Sequence, residues 1–219
     1  MSLITGAGRS GLDAIGKWSL VIGPILFVIS GAMVTLDPAD YGDKFVAAVA
    51  EGGDTAKWGL VIGVIGITLY ARGIMGLTRI TPEAGNAQAR MRIASAGVVA
   101  MLAVWTVQSG IGMAIAENPA AAASAGAVML GIGGAGTILA FLTLIPFAGG
   151  IGSGCLVNKN IGLVLFAIAI IGLLAALIWG TNDETGSLIL GILQLIWAVV
   201  TLVIGIMMFK GDGDYTVFR

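Results

Sequence analysis

Histidine is absent from all 219 residues of this chain, and cysteine occurs once, at position 155. Without histidine the chain cannot build a histidine-ligated haem site, a histidine-containing zinc or copper site, or a Ser-His-Asp triad. A single cysteine can form neither an internal disulfide nor the ligand set of an iron–sulfur cluster. The sequence therefore predicts no metal site and no cofactor.

Charged residues are also scarce, at 11% of the chain with a net charge of −1. Soluble domains carry about 25% charged residues. A near-neutral chain gives nucleic acid no electrostatic reason to bind. Every acidic residue lies outside the long apolar stretches, so the chain has neither a converging pair of carboxylates nor a carboxylate within the membrane for proton transfer. We therefore expect neither an enzyme nor a proton pump.

Apolar residues make up 58% of the chain and fall into six long stretches. About 20 apolar residues are needed to cross ~30 Å of hydrocarbon, and continuous apolar runs favour helices over the alternating strands of a barrel. We predict an all-α integral membrane protein, a single domain over 1–219 with six helices in a tightly packed, glycine-rich bundle. The predicted spans are about 18–36, 58–79, 93–116, 122–148, 161–180 and 187–209.

The loops differ in charge, which predicts the orientation of the chain. Eight basic residues fall before span 1, between spans 2 and 3, between spans 4 and 5, and after span 6. They are Arg9, Lys17, Arg79, Arg90, Arg92, Lys159, Lys210 and Arg219. The opposite loops hold only Lys44 and Lys57 as basic residues, together with most of the acidic ones. The amino and carboxyl termini are therefore predicted to be cytoplasmic, in the inner or plasma membrane of a prokaryote.

Glycine is abundant, with 35 residues, and much of it is spaced for helix packing. Gly59 and Gly63 are four residues apart, and so are Ala127, Gly131 and Ala135 in span 4. Small residues at this spacing let two helix backbones approach closely. Span 4 is the richest in glycine, so we expect one of its faces to be tightly buried. The predicted packing positions are Gly59, Gly63, Gly126, Ala127, Gly131, Gly134 and Ala135.

Three polar side chains are predicted to lie within the membrane. Arg72 is the one formal charge well inside a span, and an intramembrane arginine marks a candidate functional site. It is close enough to the inner boundary to extend its guanidinium to the lipid phosphates. A packed partner or a substrate is the alternative. Gln108 and Gln194 are expected to join helices by hydrogen bonds, with a pore or ligand contact as the alternative.

A heptapeptide recurs forty residues apart, as Lys17-Trp18-Ser19-Leu20-Val21-Ile22-Gly23 and Lys57-Trp58-Gly59-Leu60-Val61-Ile62-Gly63. Because the two copies run in opposite directions through the membrane, they are compatible with an inverted repeat of the kind found in transporters. A basic residue, a tryptophan and apolar residues are also what any span end favours. We attribute the match to that preference and keep the repeat as the alternative.

Two of the five tryptophans lie away from the ends of the predicted spans. Trp105 and Trp197 lie deep in their spans and are expected to pack between helices or against lipid, with an aromatic pocket for a pigment or sterol as the alternative.

The loop after span 1 carries Asp37, Asp40, Asp43, Glu51 and Asp54, which we interpret as a solvated acidic loop rather than a cation site. Residues 43–50 within it are predicted to form a short interfacial helix that stops at Gly52-Gly53.

These patterns favour a non-catalytic structural or assembly subunit, either a homo-oligomer or an accessory subunit of a membrane complex, in contact with membrane lipids. The alternative is a small transporter or channel for a neutral or lipid-like solute. The two predict different structures. A transporter should have a polar cavity near the middle of the membrane, whereas an assembly protein should present glycine-rich faces to a neighbouring chain.

Overall fold

A computed structural model of the chain describes residues 12–35, 41–82, 86–154 and 156–210. It is all-α, with six helices long and apolar enough to cross a membrane, as the sequence predicted. A 3₁₀ turn, Pro119–Ala121, precedes the fourth helix. The helices are α1 Ala14–Val34, α2 Asp43–Ile80, α3 Asn86–Glu117, α4 Ala122–Ser153, α5 Lys159–Ile178 and α6 Glu184–Lys210.

Short polar side chains begin three of these helices. Asp13 caps α1, because its Oδ1 accepts the amide hydrogen of Gly16 at 2.7 Å. Asn158 accepts from the amide of Asn160 at the start of α5, and Asp183 accepts from the amides of Thr185 and Gly186 at the start of α6. Each cap satisfies amide groups that have no partner within the first helical turn.

Helix α2 is divided by Gly53, whose φ of 50° and ψ of −127° are not helical. Residues 43–52 form the predicted short helix, and residues 54–80 form the span. Val46 and Val49 of the short helix are buried against protein, with Val46 packed on Gly126 of α4. The short helix is therefore fixed to the end of the bundle by its apolar face.

The six helices form a ring in chain order. Each helix packs against the next, and α6 closes the ring by packing against α1. One end of the ring, which we call the acidic end, carries the α1–α2, α3–α4 and α5–α6 connections. The other, the basic end, carries the start of α1 and the α2–α3 and α4–α5 connections. Its described basic residues are Lys17, Arg79, Arg90, Arg92, Lys159 and Lys210.

Helices α1 and α2 make the most extensive contact of the ring, and glycine makes it possible. A Cβ added to Gly23 would lie 2.8 Å from the backbone nitrogen of Tyr70, and one added to Gly66 would lie 2.9 Å from that of Phe27. These distances are shorter than real Cβ contacts, so a side chain at either position would force the backbones apart. Close approach of this kind gains van der Waals contact in a solvent that gives no hydrophobic drive.

The half of the bundle toward the basic end has a dense apolar core. Side chains from all six helices fill it, and each is at most 2% exposed. They include Leu20, Ile74, Leu77, Met91, Leu144, Phe147, Ile151, Leu165, Ile204 and Met208. The outer surface of the ring is also apolar, with exposed leucine, isoleucine and valine side chains on every helix face that turns away from the core. A surface of this kind suits lipid rather than water.

Candidate functional site

A cavity of about 450 Å³ lies inside the half of the ring toward the acidic end. We call it the large cavity. It is lined by α1, α2, α3, α4 and α6 and by the α5–α6 connection, and it falls within the ~300–1,000 Å³ typical of small-molecule sites. The chain thus forms a partly open space large enough for a ligand.

The wall of the large cavity is mixed in polarity but uncharged over the described residues. Aromatic and aliphatic side chains such as Phe27, Leu60 and Met129 form part of it. The polar groups of the wall are hydroxyls and amides, which both donate and accept hydrogen bonds. The polar lining residues are Ser30, Tyr41, Gln108, Ser109, Thr137, Thr181, Asn182, Ser187 and Gln194.

Gln108 and Gln194, both chosen from the sequence, line this cavity from different helices. Gln108 lies nine residues before the end of α3 and Gln194 ten residues after the start of α6, so both are about 15 Å from the acidic end at ~1.5 Å per residue. Their side chains are half-buried. The structure thus brings the two amides to one cavity near the middle of the bundle.

An aromatic layer, which we call the floor, separates the large cavity from the packed half. Phe27 and Trp105 stack with ring centroids 5.7 Å apart, and Tyr70 meets Trp197 edge to face at 5.4 Å. A small apolar pocket of about 30 Å³ lies among these rings and shares Phe27, Trp105 and Gln194 with the large cavity. Trp105 and Trp197 pack between helices, in agreement with the first of the two expectations for them.

The indole nitrogen of Trp197 is buried and faces the hydroxyl of Tyr70. Buried polar groups nearly always have a partner in the protein or in bound water. Tyr70 is therefore the polar group that the floor itself offers to this nitrogen.

At the acidic end, two connections meet over the large cavity. The Tyr41 hydroxyl donates a hydrogen bond to the Glu184 carboxylate, which stabilises the protonated phenol and raises the pKa of Tyr41, and burial acts in the same direction. A Cβ on Gly42, whose φ is 53°, would lie 3.2 Å from the carbonyl oxygen of Asn182. The start of α2 and the α5–α6 connection therefore form a rim, with Tyr41, Gly42 and Asn182 in the cavity wall.

The glycines predicted for packing fall into two groups. Gly59 and Gly63 are buried against α1, where added Cβ atoms would lie 2.8 Å from Cβ of Met33 and 2.5 Å from Oγ of Ser30. Gly126 is buried against Val46, and Gly134 against the side chain of Thr181. At these four positions, the absence of a side chain lets another part of the same chain come close.

Ala127, Gly131 and Ala135 form the second group, and they lie on the exposed face of α4. A Cβ on Gly131 would find no atom of the chain within 4 Å. The buried glycines of this helix are Gly126, Gly133, Gly134, Gly136 and Gly150. The predicted stripe therefore does not pack within the chain, and its contact with a neighbouring molecule stays a prediction.

Arg72 lies in the basic half and forms an ion pair with Asp13, its Nη2 donating to Oδ2 at 2.5 Å. The guanidinium thus extends toward the basic end and meets the residue that caps α1. Asp13 holds Arg72 with one carboxylate oxygen and the Gly16 amide with the other. The Gly16 amide, with a smaller contribution from Arg72, lowers the pKa of the Asp13 carboxyl, although burial of the group opposes this.

Asp13 and the rim were missed by sequence reasoning. Asp13 precedes the first apolar stretch, where a helix-capping aspartate is a recognised signal, but nothing in the sequence links it to Arg72. Gly133 was also missed, although its missing side chain makes room for that of Gln108.

Of the acidic outer loop, Asp37 and Asp40 lie outside the described residues. Over the described ranges, no three aspartate, glutamate or cysteine side chains converge as a metal site would require.

Comparison with known proteins finds no relative: no family model, no curated protein and no solved structure matches this chain. The cavity and the surface of the bundle are therefore the features that bear on function.

Proposed function

We propose that this chain is a membrane carrier for an uncharged solute, which it binds in the large cavity. The observation that supports the proposal is the cavity itself, whose described wall offers amides and hydroxyls at mid-depth but no formal charge. Of the two functions compared from the sequence, this one requires a polar cavity near the middle of the membrane.

The chemistry of the wall favours an uncharged solute. An ion moved from water into this space would lose its hydration and find no opposite charge among the described lining residues, at a cost of several kcal/mol. An uncharged molecule with hydroxyl or amide groups would exchange its hydrogen bonds with water for bonds to Gln108 and Gln194. No pair of side chains in the described wall suits general acid–base catalysis, which supports a carrier rather than an enzyme.

The closed floor favours a carrier over an open channel. The large cavity ends at Phe27 and Trp105. Tyr70 and Trp197 follow around the small pocket, and beyond them the core is dense. A solute released at the basic end would require this half to open. Alternation of access around a site at the midplane is how carriers of this kind work.

Ligand-dependent thermal stability tests the proposal. The purified protein is heated with uncharged polyols, amides and monoacylglycerols and, as matched charged compounds, with glycerol phosphate and fatty-acid anions. We expect an uncharged class to raise the melting temperature of the wild type, and Gln108→Leu and Gln194→Leu to reduce that rise. Stabilisation by the charged compounds alone, or by none of the compounds, would contradict the proposal. Uptake of the stabilising class into proteoliposomes then tests transport directly.

A second candidate function is assembly, as a homo-oligomer or an accessory subunit. The exposed stripe of Ala127, Gly131 and Ala135 supports it, because small residues on a lipid-facing helix let another helix approach closely. Gly131→Leu is expected to reduce the oligomer size seen by native mass spectrometry. Gly110→Leu is the matched control, since Gly110 is exposed on α3 with no atom near its Cβ position. Equal sizes for wild type and Gly131→Leu would argue against assembly through this face.

The charge pattern supports an orientation with the acidic end outside and the basic end in the cytoplasm of a prokaryote. Cysteine replacements at positions 43 and 86, in a background without Cys155, test it. An impermeant thiol reagent should label position 43 in intact cells, and position 86 only after the membrane is opened. The reverse labelling would overturn the orientation.

A further inference from the structure

The wall of the large cavity between α1 and α6 differs from its other walls. Val28 of α1 and Leu195 of α6 line the cavity, yet they are 42% and 50% exposed. Both belong to continuous apolar stripes that run along the outer surface of their helices. The stripe of α1 contains Ile22, Ile25, Val28 and Ile29, and that of α6 contains Leu188, Ile192, Leu195, Val199 and Val203. Val28 and Leu195 thus face both the bilayer and the cavity.

The two helices touch toward the basic end and separate toward the acidic end. A Cβ on Gly205 would lie 2.9 Å from Val21, and the rings of Trp18 and Phe209 meet at 5.0 Å. Further toward the acidic end, Gly31 and Gly191 also line the cavity, and a Cβ on either would find no atom within 4 Å. We call the space bounded by Val28, Gly31, Gly191 and Leu195 the α1–α6 gap.

Pro24 lies on α1 between the contacting and the separated parts. A proline inside a helix removes one main-chain hydrogen bond and crowds the preceding turn, which is a common cause of a bend. Its position coincides with the change from contact to separation between α1 and α6.

We infer that the solute of the large cavity is a neutral single-chain amphiphile that enters sideways from the bilayer through the α1–α6 gap. This inference rests on the proposed carrier function and specifies its substrate class. The apolar gap suits an acyl or similar chain, which would leave lipid for an equally apolar surface. The amides of Gln108 and Gln194 suit an uncharged head group that bears hydroxyls or amides.

The same features disfavour ordinary phospholipids. A phosphate head group would lose its hydration in a wall without a described cation. A cavity of about 450 Å³ is the size of a drug-like molecule's site, which favours one chain over two. A solute that approached only from water would not need a lateral opening bordered by lipid-facing leucine and valine.

Tryptophan fluorescence in nanodiscs tests the inference. Replacing Trp18, Trp58 and Trp179 by phenylalanine removes the three exposed indoles and leaves Trp105 and Trp197 at the floor. The probe is a monoacylglycerol with bromine atoms on its acyl chain, since bromine quenches indole only on close approach. Phosphatidylcholine with the same brominated chains is the comparison. We expect the monoacylglycerol to quench the buried pair strongly and the phosphatidylcholine to quench it weakly.

Substitutions in the α1–α6 gap test whether the monoacylglycerol enters the cavity by this route. Gly191→Leu and Gly31→Leu, on opposite walls, each place a bulky side chain in open space, so both should fold and both should lose most of the monoacylglycerol quenching. Gly110→Leu, the matched control on α3, should keep it. Quenching that is unchanged in both gap variants, or equal for the two lipids, would overturn lateral entry of a single-chain amphiphile.

Acrylamide, a small uncharged quencher dissolved in water, separates this inference from the proposed function. If acrylamide quenches the buried pair and the brominated monoacylglycerol does not, the cavity admits neutral molecules from water and the lateral route is wrong. If neither reagent quenches, the cavity is closed to both, and the carrier proposal fails with it.

Discussion

The two halves of this bundle are built from the same six helices but are packed differently. Toward the basic end, Phe147, Leu144 and Ile151 of α4 fill the centre of the ring and are almost completely buried. Toward the acidic end, the same helix presents Gly133, Gly134 and Thr137 to a cavity. Large residues close one half, and small or polar residues leave the other half open.

This difference shows that the average composition of a span says little about its role. Each helix is apolar over its length, yet one half serves to hold the ring together and the other to line a space. If the closed half supplies most of the stability and the open half the binding, then equivalent substitutions should have unequal effects.

Phe147→Ala should cause the largest loss of stability. Phe147 is 1% exposed in the basic half, and its removal would leave a void where van der Waals contacts hold the helices together, at a cost of about 3 kcal/mol or more. Phe45→Ala at the rim of the cavity is the matched change, because Phe45 is only partly buried. Unfolding in detergent, followed by tryptophan fluorescence, measures both. Equal losses would show that the open half is as important for stability as the closed one.

Gly162→Leu should destabilise the protein by about 1–3 kcal/mol through overpacking. A Cβ on Gly162 would lie 2.8 Å from the carbonyl oxygen of Ala148 and from the backbone of Gly152, so α5 would have to move away from α4. Gly110→Leu, toward the acidic end of α3, meets no atom and should be neutral or slightly stabilising, since leucine is a better helix former. Thermal melts of the two variants decide between these outcomes.

Gln194→Leu should change stability by less than about 1 kcal/mol while weakening binding of an uncharged solute. Its amide faces the large cavity, and polar contacts between membrane helices contribute only about 0.6 kcal/mol on average. Chemical unfolding gives the first quantity, and ligand-induced shifts in melting temperature give the second. A large loss of stability would instead indicate that Gln194 holds the helices together and does not serve the solute.

Changes at the Arg72–Asp13 pair should have the smallest effect, because both side chains are partly exposed. Arg72→Lys should retain the pair, since a single contact, Nη2 to Oδ2, joins the two residues. Asp13→Asn should keep the cap of α1 and lose the ion pair. A severe defect of Arg72→Lys in size-exclusion profiles would show that the planar guanidinium is needed.

The pH dependence of the same pair has a defined sign. The pKa of Asp13 is lowered in the folded chain, so its contribution is complete above its ordinary pKa near 3.8 and is lost as the pH falls through the lower, folded value. Melting temperatures of wild type and Asp13→Asn should therefore differ near neutral pH and converge in strong acid. Curves that stay parallel throughout would exclude a role for this carboxylate.

The sequence predicted the helices because hydrophobicity is a local property, with each apolar stretch set by its own residues. The break at Gly53 was predictable for the same reason, since two adjacent glycines end the short helix. Spacing also identified Gly59 and Gly63 as packing positions. Their partners could not be predicted, since that requires knowing which helix lies beside which.

The large cavity could not be predicted, because it arises where helices diverge. Gln108 and Gln194 were chosen for their polarity, but their common cavity depends on the ring order and on the separation of α1 from α6. The stripe of Ala127, Gly131 and Ala135 shows the same limit. Glycine is plentiful all round α4, so spacing alone does not say which face turns inward. Asp13 and Arg72 are 59 residues apart and meet only because α1 and α2 pair in antiparallel fashion.

The forty-residue repeat acquires a meaning from that pairing. Gly23 faces Tyr70, and Gly63 faces Ser30. Under the forty-residue offset, Gly23 corresponds to Gly63 and Ser30 to Tyr70. The contact of Gly23 with Tyr70 is therefore equivalent to the contact of Gly63 with Ser30, with the two helices interchanged. The repeat therefore places its two glycines symmetrically about the crossing of α1 and α2, whatever its origin.

The order of helices around the ring also bears on how the protein is made. Each helix packs on the one synthesised just before it, so the first five can associate as they leave the ribosome and enter the membrane. The contact between α1 and α6 joins residues nearly the whole chain apart, such as Val21 and Gly205. Until α6 arrives, the interior of the ring is exposed to lipid along one side. The last step of folding therefore closes the seam beside which the α1–α6 gap remains in the finished molecule.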